Sequence, residues 1–330
     1  MSDRSQTSSV RVTRDVEKFK PMGEAALTIG RFDGVHRGHV ALVQSTICAA
    51  VVDHVQRSIV VVLWPPPEWI LRPSESRALL TTLEDRLKLL CALGVSEVVV
   101  LRFDKEISKQ GPEDFIRFLK DRFLMRKLVM GPNAAIGRNR SGTTAALARI
   151  AERIGFENVT VPSKGMTGEI SSSRARQALE DGDIASLTRI LGRFHSLEGP
   201  VVHGDARGRC LGFPTANLEL PEWMVLPRDG VYAGGAVIEG EGLVYRALVS
   251  VGRRPTFGSG ERMFEVNLIN FDREIYGRRL RVFLERRIRG QGIFEQTDDL
   301  VAAMRGDEEV VRSMQPVNDW GLLPFASRHS

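Results

Sequence analysis

Short, uninterrupted apolar runs alternate with helically spaced apolar residues through the first half of the chain. Ala26 to Ile29 and Ser58 to Trp64 are the clearest runs, and Val95 to Leu101, Lys127 to Met130 and Asn158 to Val161 continue the series. Uninterrupted apolar runs predict strands buried on both faces, as in a parallel sheet. Between them, Val40 to Val52, Thr81 to Leu93, Pro112 to Phe123 and Thr143 to Ile154 carry apolar positions three and four apart, which predicts helices. Thr81 with Glu84 fits a capping box, Pro112 fits a first helical turn, and Gly94 and Gly155 fit helix stops. Such β–α alternation predicts an α/β, doubly wound parallel sheet of Rossmann-like type, with helices on both faces. Ligands of such sheets bind at the carboxyl ends of the strands.

A helix over Ile184 to Leu191 then leads into a different texture. From His195 on, glycines and prolines are frequent, and Val231 to Ile238, Leu243 to Val251, Met263 to Asn270 and Leu280 to Leu284 predict short strands. Spaced short strands with turns predict a small antiparallel β-barrel. A helix over Asp298 to Met304 follows, with Gly306 as its stop. The division expected from this is an α/β domain over 21–190 and a barrel domain over 191–330, with the boundary near Arg189 to Leu197. Residues 1–20 are polar and Ser-rich without an apolar core segment, so they are expected to be disordered and are not a secretory signal.

Charge and cysteines narrow the class. The net charge is +5, from 46 basic and 41 acidic residues, without any long Lys/Arg block. This suits small anionic ligands and argues against nucleic acid as the partner. No apolar run reaches the length of a membrane span. The three cysteines form no C-x-x-C pair; Cys48 and Cys91 fall within helical apolar patterns and are expected as small core residues. Such cysteine usage fits a reducing cytoplasm. Nothing in the sequence fixes an oligomeric state.

Candidate chemistry concentrates behind the first strand, in Gly30-Arg31-Phe32-Asp33-Gly34-Val35-His36-Arg37-Gly38-His39. Two histidines three residues apart share one face of a first helical turn. Gly34 and Gly38 let a ligand approach the backbone, and the free N–H groups and dipole of a helix start favour a phosphate. Imidazoles beside a phosphate donate hydrogen bonds to it, and its charge favours their protonated form. A loop histidine taken alone is usually a polar surface residue; the whole F-D-G-x-H-x-G-H pattern behind a strand is far denser than that.

Two further stretches follow strands at the same expected edge. One is Trp64-Pro65-Pro66-Pro67-Glu68-Trp69, a rigid loop in which Trp69 can simply pack. The other runs from Gly131 to Thr144 and has P-loop glycine spacing, but Thr143 stands where a P-loop requires lysine, so a P-loop is excluded. Later, Ile170-Ser171-Ser172-Ser173-Arg174-Ala175-Arg176 offers serine N-caps. Arg174 and Arg176 oppose the dipole preference for acids in a first turn, which points to a bound phosphate, more firmly for Arg174. In the second half, Val201 to Asn217 carries three spaced glycines (Gly204, Gly208, Gly212), and Thr215 and Asn217 lie on one side if that piece is extended. Hard oxygen donors of this kind suit Mg²⁺ beside phosphates, and polar turn tips are the plain alternative.

The first motif resembles the H-x-G-H signature of nucleotidyltransferases. The stretch G-P-V-V-H-G-D-x-x-G-R-x-L-G-F-P-T-A-N, from Gly199 to Asn217, is similar to the signature of riboflavin kinases. Taken together, in order and over about Thr28 to Asp307, the motifs resemble the bacterial bifunctional riboflavin kinase/FAD synthetase family. Asp229-Gly230-Val231-Tyr232, Arg254-Pro255-Thr256, Glu265-Val266-Asn267-Leu268 and Ile275-Tyr276-Gly277 add to the match. The resemblance implies riboflavin, FMN and ATP as substrates, Mg²⁺ as cofactor and FMN and FAD as products. It implies that Thr215 and Asn217 hold Mg²⁺ and ATP phosphates, and that Glu265 takes the proton of the riboflavin 5′-hydroxyl. It implies that His36, His39, Ser172 and Arg174 hold the triphosphate from which FMN is adenylylated. Gly30, Phe32, Asp33, Gly34, Gly38, Asn133, Ser171, Gly204 and Gly212 are implied at the nucleotides, and Pro66, Arg254, Pro255 and Thr256 at the flavin.

Departures from the family pattern cluster in the first half: Arg31 stands for a usual Asn, Pro66 for His or Asn, and Ala134 and Ile136 for two aromatics. In the second half Ser250 and Arg253 replace Asn and Thr, and Asn267 replaces His. Two other readings therefore stay open at this point. One is a riboflavin kinase whose first half is inactive or serves another nucleotide or acceptor. The other is a non-enzymatic flavin or nucleotide sensor.

Overall fold

The structure, a computed structural model, describes residues 10–52, 55, 57–75, 78–162, 170–204, 208, 211–253, 262–317 and 319–321. They divide into two compact units: residues up to 77 with 82–170, and 78–81 with 171 onward.

The first unit is a six-stranded sheet of β1 (Arg11–Thr13), β2 (Ala25–Gly30), β3 (Arg57–Trp64), β4 (Glu97–Arg102), β5 (Met125–Met130) and β6 (Glu157–Thr160). Its order is β1-β4-β3-β2-β5-β6, and every pair is parallel. The helices are α1 (Arg37–Val52), α2 (Pro67–Leu71), α3 (Leu83–Cys91), α4 (Lys105–Lys109), α5 (Pro112–Phe123) and α6 (Thr144–Ile154). Alternate residues of β3 and β4 enter opposite cores, as the strand period requires. Ile59, Val61 and Val99 join Ile116, Leu119, Leu147 and Ile150 of α5 and α6. Val60, Val62, Val98 and Val100 join Val43, Leu87 and Leu90 of α1 and α3. From β2 the chain builds outward to β3 and β4, then returns to lay β5 and β6 on the other side. The carboxyl end of β2 is therefore the topological switch point, where such sheets bind ligands.

Several local expectations shift. Residues 1–9 lie outside the described residues, but Arg11–Thr13 form an edge strand where disorder was expected. Among the contacts that hold this segment, Thr13 Oγ1 donates to the Glu97 carboxylate at 2.6 Å, and Phe19 packs edge-on against Phe123 at 4.8 Å between ring centres. The cap of α3 is Thr82, which accepts from Asp85 N–H at 3.1 Å; the expected Thr81–Glu84 box is one residue early. Cys48 is exposed on α1 and is not a core residue, whereas Cys91 is partly buried. Glu97 is buried at the foot of β4 and binds Arg57 on the neighbouring strand; the Arg57 guanidinium also lies over the Phe19 ring at 5.5 Å.

The second unit opens with α7 (Ser172–Asp181) and α8 (Ile184–Leu191). The strands β7 (His195–Val202), β8 (Ala216–Leu218), β9 (Gly230–Ile238), β10 (Val244–Arg253), β11 (Arg262–Leu268) and β12 (Arg279–Arg289) follow, and then α9 (Thr297–Ser313). The strands close into a barrel in the order β10-β11-β8-β7-β12-β9, with antiparallel neighbours throughout. Closure removes the sheet edges. By compactness the division falls at Ser171, not near Arg189 to Leu197. The reason is apolar: Ala175, Leu179, Ile184, Leu187 and Leu191 share one buried cluster with barrel residues such as Leu197, Tyr232, Val249 and Leu284. The last helix runs on through Gly306, the expected stop. Beyond that glycine, the Asp307 carboxylate accepts from Nε and Nη2 of Arg289, and Val311 is buried against Val231 and Leu248. Those contacts outweigh the roughly 1 kcal/mol propensity cost of a helical glycine. Inside the barrel wall, Arg281 and Glu198 stand directly opposite each other on β12 and β7 and form a buried ion pair.

Removing one partner of a buried ion pair strands the other charge. Glu97→Ala is therefore expected to cost about 3–5 kcal/mol in denaturant unfolding of the first unit, and Glu97→Leu with Arg57→Met together far less. An acid-sensitive element sits in the barrel. Burial, reinforced by the charge of Arg193, pushes the His195 imidazole down to about 3. In the unfolded chain it titrates near ~6.5. The folded pKa lies below the unfolded one, so stability present above that value drains away as pH falls toward 3, by at most about 1.4 kcal/mol per pH unit. Unfolding midpoints measured from pH 6.5 to 5 should fall less steeply in His195→Gln than in the wild type.

Candidate active sites

At the switch point, β2 ends on Gly30 and α1 begins at Arg37. Between them the backbone takes left-handed angles at Phe32 (φ 52°), Gly34 (φ 77°) and Val35 (φ 38°). For Gly34 this costs nothing, but for a β-branched valine it is strained and needs external support. Arg86 of α3 supplies it. Its guanidinium is fully buried, donates to the Arg31 carbonyl at 2.7 Å and to the Asp33 carboxylate at 3.1 Å, and lies 5.4 Å from the Trp64 ring. Burial pulls its pKa down to about 10 against the pull of Asp33, which leaves it cationic at neutral pH.

Above this brace sit the two histidines. His36 Nδ1 accepts the backbone N–H of His39 at 3.3 Å, so His36 caps α1. That bond keeps the proton of a neutral His36 on Nε2. The two rings stack at 3.7 Å between centres with 16° between planes, and Phe32 backs His39 at 5.2 Å. Phe32 and Asp33, both expected at the nucleotide, are buried beneath the turn and brace it; Gly34 and Gly38 are buried within it. A Cβ on Gly30 would meet the Phe32 ring at 3.3 Å, so this glycine is tight.

The loops after β3 and β5 reach the same sheet edge. Arg31 forms an ion pair with Glu68 of α2. Pro66, expected at the flavin, is buried and its carbonyl accepts Trp69 N–H at 2.9 Å; Trp64 and Trp69, 5.7 Å apart, are the partly exposed rings there. After β5, Ile136 and Gly142 pair through two backbone bonds, and a Cβ on Gly142 would lie 2.8 Å from Pro112. Thr143 accepts from Ala146 N–H and caps α6, as the exclusion of a P-loop requires. Ala134 and Ile136 pack against the core formed with α5 and α6, while Asn133 is exposed. In the second unit, Ser171 caps α7 by accepting Arg174 N–H at 3.2 Å. Ser172 follows on the first turn, with Arg174 exposed and Arg176 buried.

The barrel presents its own constellation. Phe264 and Val266 point into the core, so Glu265 between them points outward. Register places Asn217 of β8 directly opposite Glu265 on one side and Ser250 of β10 on the other. Directly opposed residues share a face, with Cβ atoms about 4.5–5.5 Å apart. Asn217 Oδ1 is buried and has no hydrogen-bond partner among the described residues. A Cβ on Gly204 would lie 2.1 Å from the Asn217 amide, and one on Gly208 would lie 2.3 Å from the Phe213 carbonyl and 3.3 Å from Thr215 Oγ1. At both positions an added side chain would collide, so only glycine fits against these two residues. Gly212 takes a left-handed φ of 85°. Arg254, Pro255 and Thr256 lie outside the described residues.

Three further side chains, to which the sequence pattern assigns no role, support these sites. Asn267 Nδ2 donates to the Pro214 carbonyl at 2.8 Å and so holds the start of the Thr215–Asn217 piece. Gln291 donates to Ser250 Oγ at 3.3 Å and to the Val251 carbonyl at 2.8 Å. Arg86 is the third, and it left a signal: it stands on the apolar stripe of α3, four residues before Leu90. A charge on a buried stripe demands partners.

Comparison with known proteins gives two family models in chain order, FAD synthetase over residues 19–175 and Riboflavin kinase over residues 191–315. The bifunctional riboflavin kinase/FMN adenylyltransferase of Escherichia coli (strain K12) is 34% identical over 300 residues, covering 88% of this chain and 93% of the relative. The protein of the same description from Bacillus subtilis (strain 168) is 30% identical over 292 residues, covering 87% and 91%. A crystal structure described as a macrolide-efflux protein from Streptococcus pneumoniae superposes with a TM-score of 0.81 at 30% identity, covering 93% of this chain and 100% of that one. That description belongs to that protein; among the described residues here, no helix is long and apolar enough to cross a membrane. Family models that run through both units, with relatives at least 30% identical over most of the chain, place this enzyme by descent: the chain belongs to the bifunctional riboflavin kinase/FMN adenylyltransferase family.

Proposed function

We propose that the barrel unit phosphorylates riboflavin from ATP and that the α/β unit adenylylates the resulting FMN to FAD. The observation that carries the kinase half is the outward row on the barrel, with the Glu265 carboxylate directly opposite the unpartnered Asn217 oxygen. Glu265 takes the proton of the riboflavin 5′-hydroxyl as that oxygen attacks the γ-phosphorus; the bond to the β-bridging oxygen breaks, and ADP leaves. A base within hydrogen-bond reach suits this step, and positioning does most of the remaining work.

Thr215 and Asn217 are the residues to hold Mg²⁺. A buried amide oxygen lacking a partner is an open acceptor, and amide and hydroxyl oxygens are the hard donors this ion prefers. Among the described residues no cluster of three His, Cys, Asp or Glu could hold a metal; Mg²⁺ beside phosphates needs only one or two protein donors, since water and phosphate oxygens supply the rest. When bound, it offsets charge on the β- and γ-phosphates.

In the first unit, the capped and stacked His36–His39 pair at the switch point supports a triphosphate site. An FMN phosphate oxygen attacks the α-phosphorus of ATP, and the bond to the pyrophosphate oxygen breaks. Donors fixed in place before reaction stabilise the charge that grows on the leaving pyrophosphate. The packing of Ala134 and Ile136 against the α5–α6 core gives these residues a structural role, so their divergence does not require another acceptor. The exposed thiol of Cys48, free of any disulfide, suits the cytoplasm.

Selective loss tests the assignment. In the full chain supplied with Mg-ATP, Glu265→Gln should slow FMN formation from riboflavin by about 100-fold or more. FAD formation from added FMN should persist. His36→Gln and His39→Gln should do the reverse, each slowing FAD formation by about 100-fold. Undiminished FMN formation by Glu265→Gln would remove it as the base, and full FAD output from both histidine variants would remove the triphosphate reading.

A further inference from the structure

Arg86 and Arg281 head the fully buried side chains among the described residues, and the helix of Arg86 otherwise buries only apolar neighbours such as Leu87 and Leu90. A Leu or Met there would complete the stripe without desolvating a charge. What the guanidinium obtains in return lies on the loop that follows β2 and at the carboxyl end of β3. It donates to the Arg31 carbonyl and to the Asp33 carboxylate, on either side of Phe32, and lies against the Trp64 ring. The fork thus straddles the residue at which the chain first turns left-handed. Val35, three residues further on, is the most strained position of the turn, and His36 follows it directly. Strain of this kind persists only where the surroundings fix it. Within the turn itself, Val35 N–H donates to the Phe32 carbonyl at 3.1 Å. Arg31 is also tied outward to Glu68, so its carbonyl and its side chain are anchored to different helices.

We propose that Arg86 is a positioning residue for adenylyl transfer: its fork fixes the turn from Arg31 to Val35 and thereby sets where the His36–His39 pair meets the triphosphate. The inference rests on the triphosphate reading of that pair. A lysine retains the charge but, as a point donor, cannot span the carbonyl and the carboxylate as a planar guanidinium does. A small displacement of groups that hold a reacting phosphate costs rate far more than it costs affinity for a separately bound acceptor.

The experiment uses the full chain, with riboflavin phosphorylation as an internal readout of the other unit. Arg86→Gln should lower kcat for FMN adenylylation by about 100-fold with KM for FMN within about threefold, and leave riboflavin phosphorylation within about twofold of wild type. Arg86→Lys should recover only part, remaining about 10-fold slow. Asp33→Asn should lose about 10-fold, and the Arg86→Gln/Asp33→Asn double variant should be no slower than Arg86→Gln alone, because both act through one contact. A lowered melting temperature with wild-type kcat and KM would make Arg86 a fold brace only and overturn the proposal. So would losses that multiply in the double variant. If Arg86→Gln fails to fold, Arg86→Lys decides, and a wild-type kcat there overturns the role of the fork. His36→Gln and His39→Gln, run alongside, separate the two claims. Their loss of FAD synthesis with Arg86→Gln unaffected sinks the positioning role alone, and their full activity sinks the triphosphate reading beneath it.

Discussion

A single buried ion pair underlies the arrangement of the α/β unit. Asp33 and Arg86 meet with almost no access to water, and a charge in that setting is tolerable only if it is paired and hydrogen-bonded. The pair spends its desolvation cost on geometry. It pins a turn that contains a left-handed valine, and from that turn His36 is delivered to cap α1 with its ring against His39. The glycines of the motif make the turn sterically possible, while the buried arginine makes it singular. Charge, backbone strain and ring orientation are therefore one coupled feature, located where the strand order of the sheet reverses.

The barrel reaches a comparable result by different means. Among the described residues, no buried arginine braces the Thr215–Asn217 piece. Close approach does the work: Gly204 lies under the Asn217 amide, Gly208 lies under the Phe213 carbonyl, and Asn267 ties Pro214 to the neighbouring strand. Strand register then aligns Asn217, Glu265 and Ser250 across three strands. A slip of one residue in β11 would turn Glu265 into the apolar interior and out of the row, so the buried alternation of Phe264, Val266 and Leu268 fixes its outward placement as firmly as the fold. The ion pair of Glu198 with Arg281 adds a polar tie within the wall.

The positions at which the first half departs from its family take on definite local roles. Arg31 is paired with Glu68 and links the motif turn to α2. Ala134 and Ile136 contribute apolar surface beneath the loop after β5, and that loop is closed by the Ile136–Gly142 pairing and by Thr144 Oγ1 donating to the Pro132 carbonyl at 3.1 Å. Pro66 begins α2 from a buried position, and the aromatic surface of that loop comes from Trp64 and Trp69.

Apolar periodicity and turn residues were enough, by themselves, to determine the two-part architecture. The strands from Ala25 to Thr160, the helices over Pro112–Phe123 and Ile184–Leu191, and the glycine stop at Gly155 all follow from local preference, which the tertiary fold did not override. The two motifs were legible for the same reason: glycines, histidines and hydroxyl or amide oxygens at short spacing act through local geometry. What only the tertiary structure decided depends on contacts distant in sequence. Thr13 and Phe19 became ordered through Glu97 and Phe123, and α9 passed Gly306 because Arg289 and Val231 waited beyond it. Phe32 and Asp33 turned inward, and Arg86, more than fifty residues from the motif, became its support. Glu265 acquired a setting only when Asn217 and Ser250 were brought beside it. Local propensity is written residue by residue, whereas the partner of a buried charge or of a strand position is chosen by the closed fold.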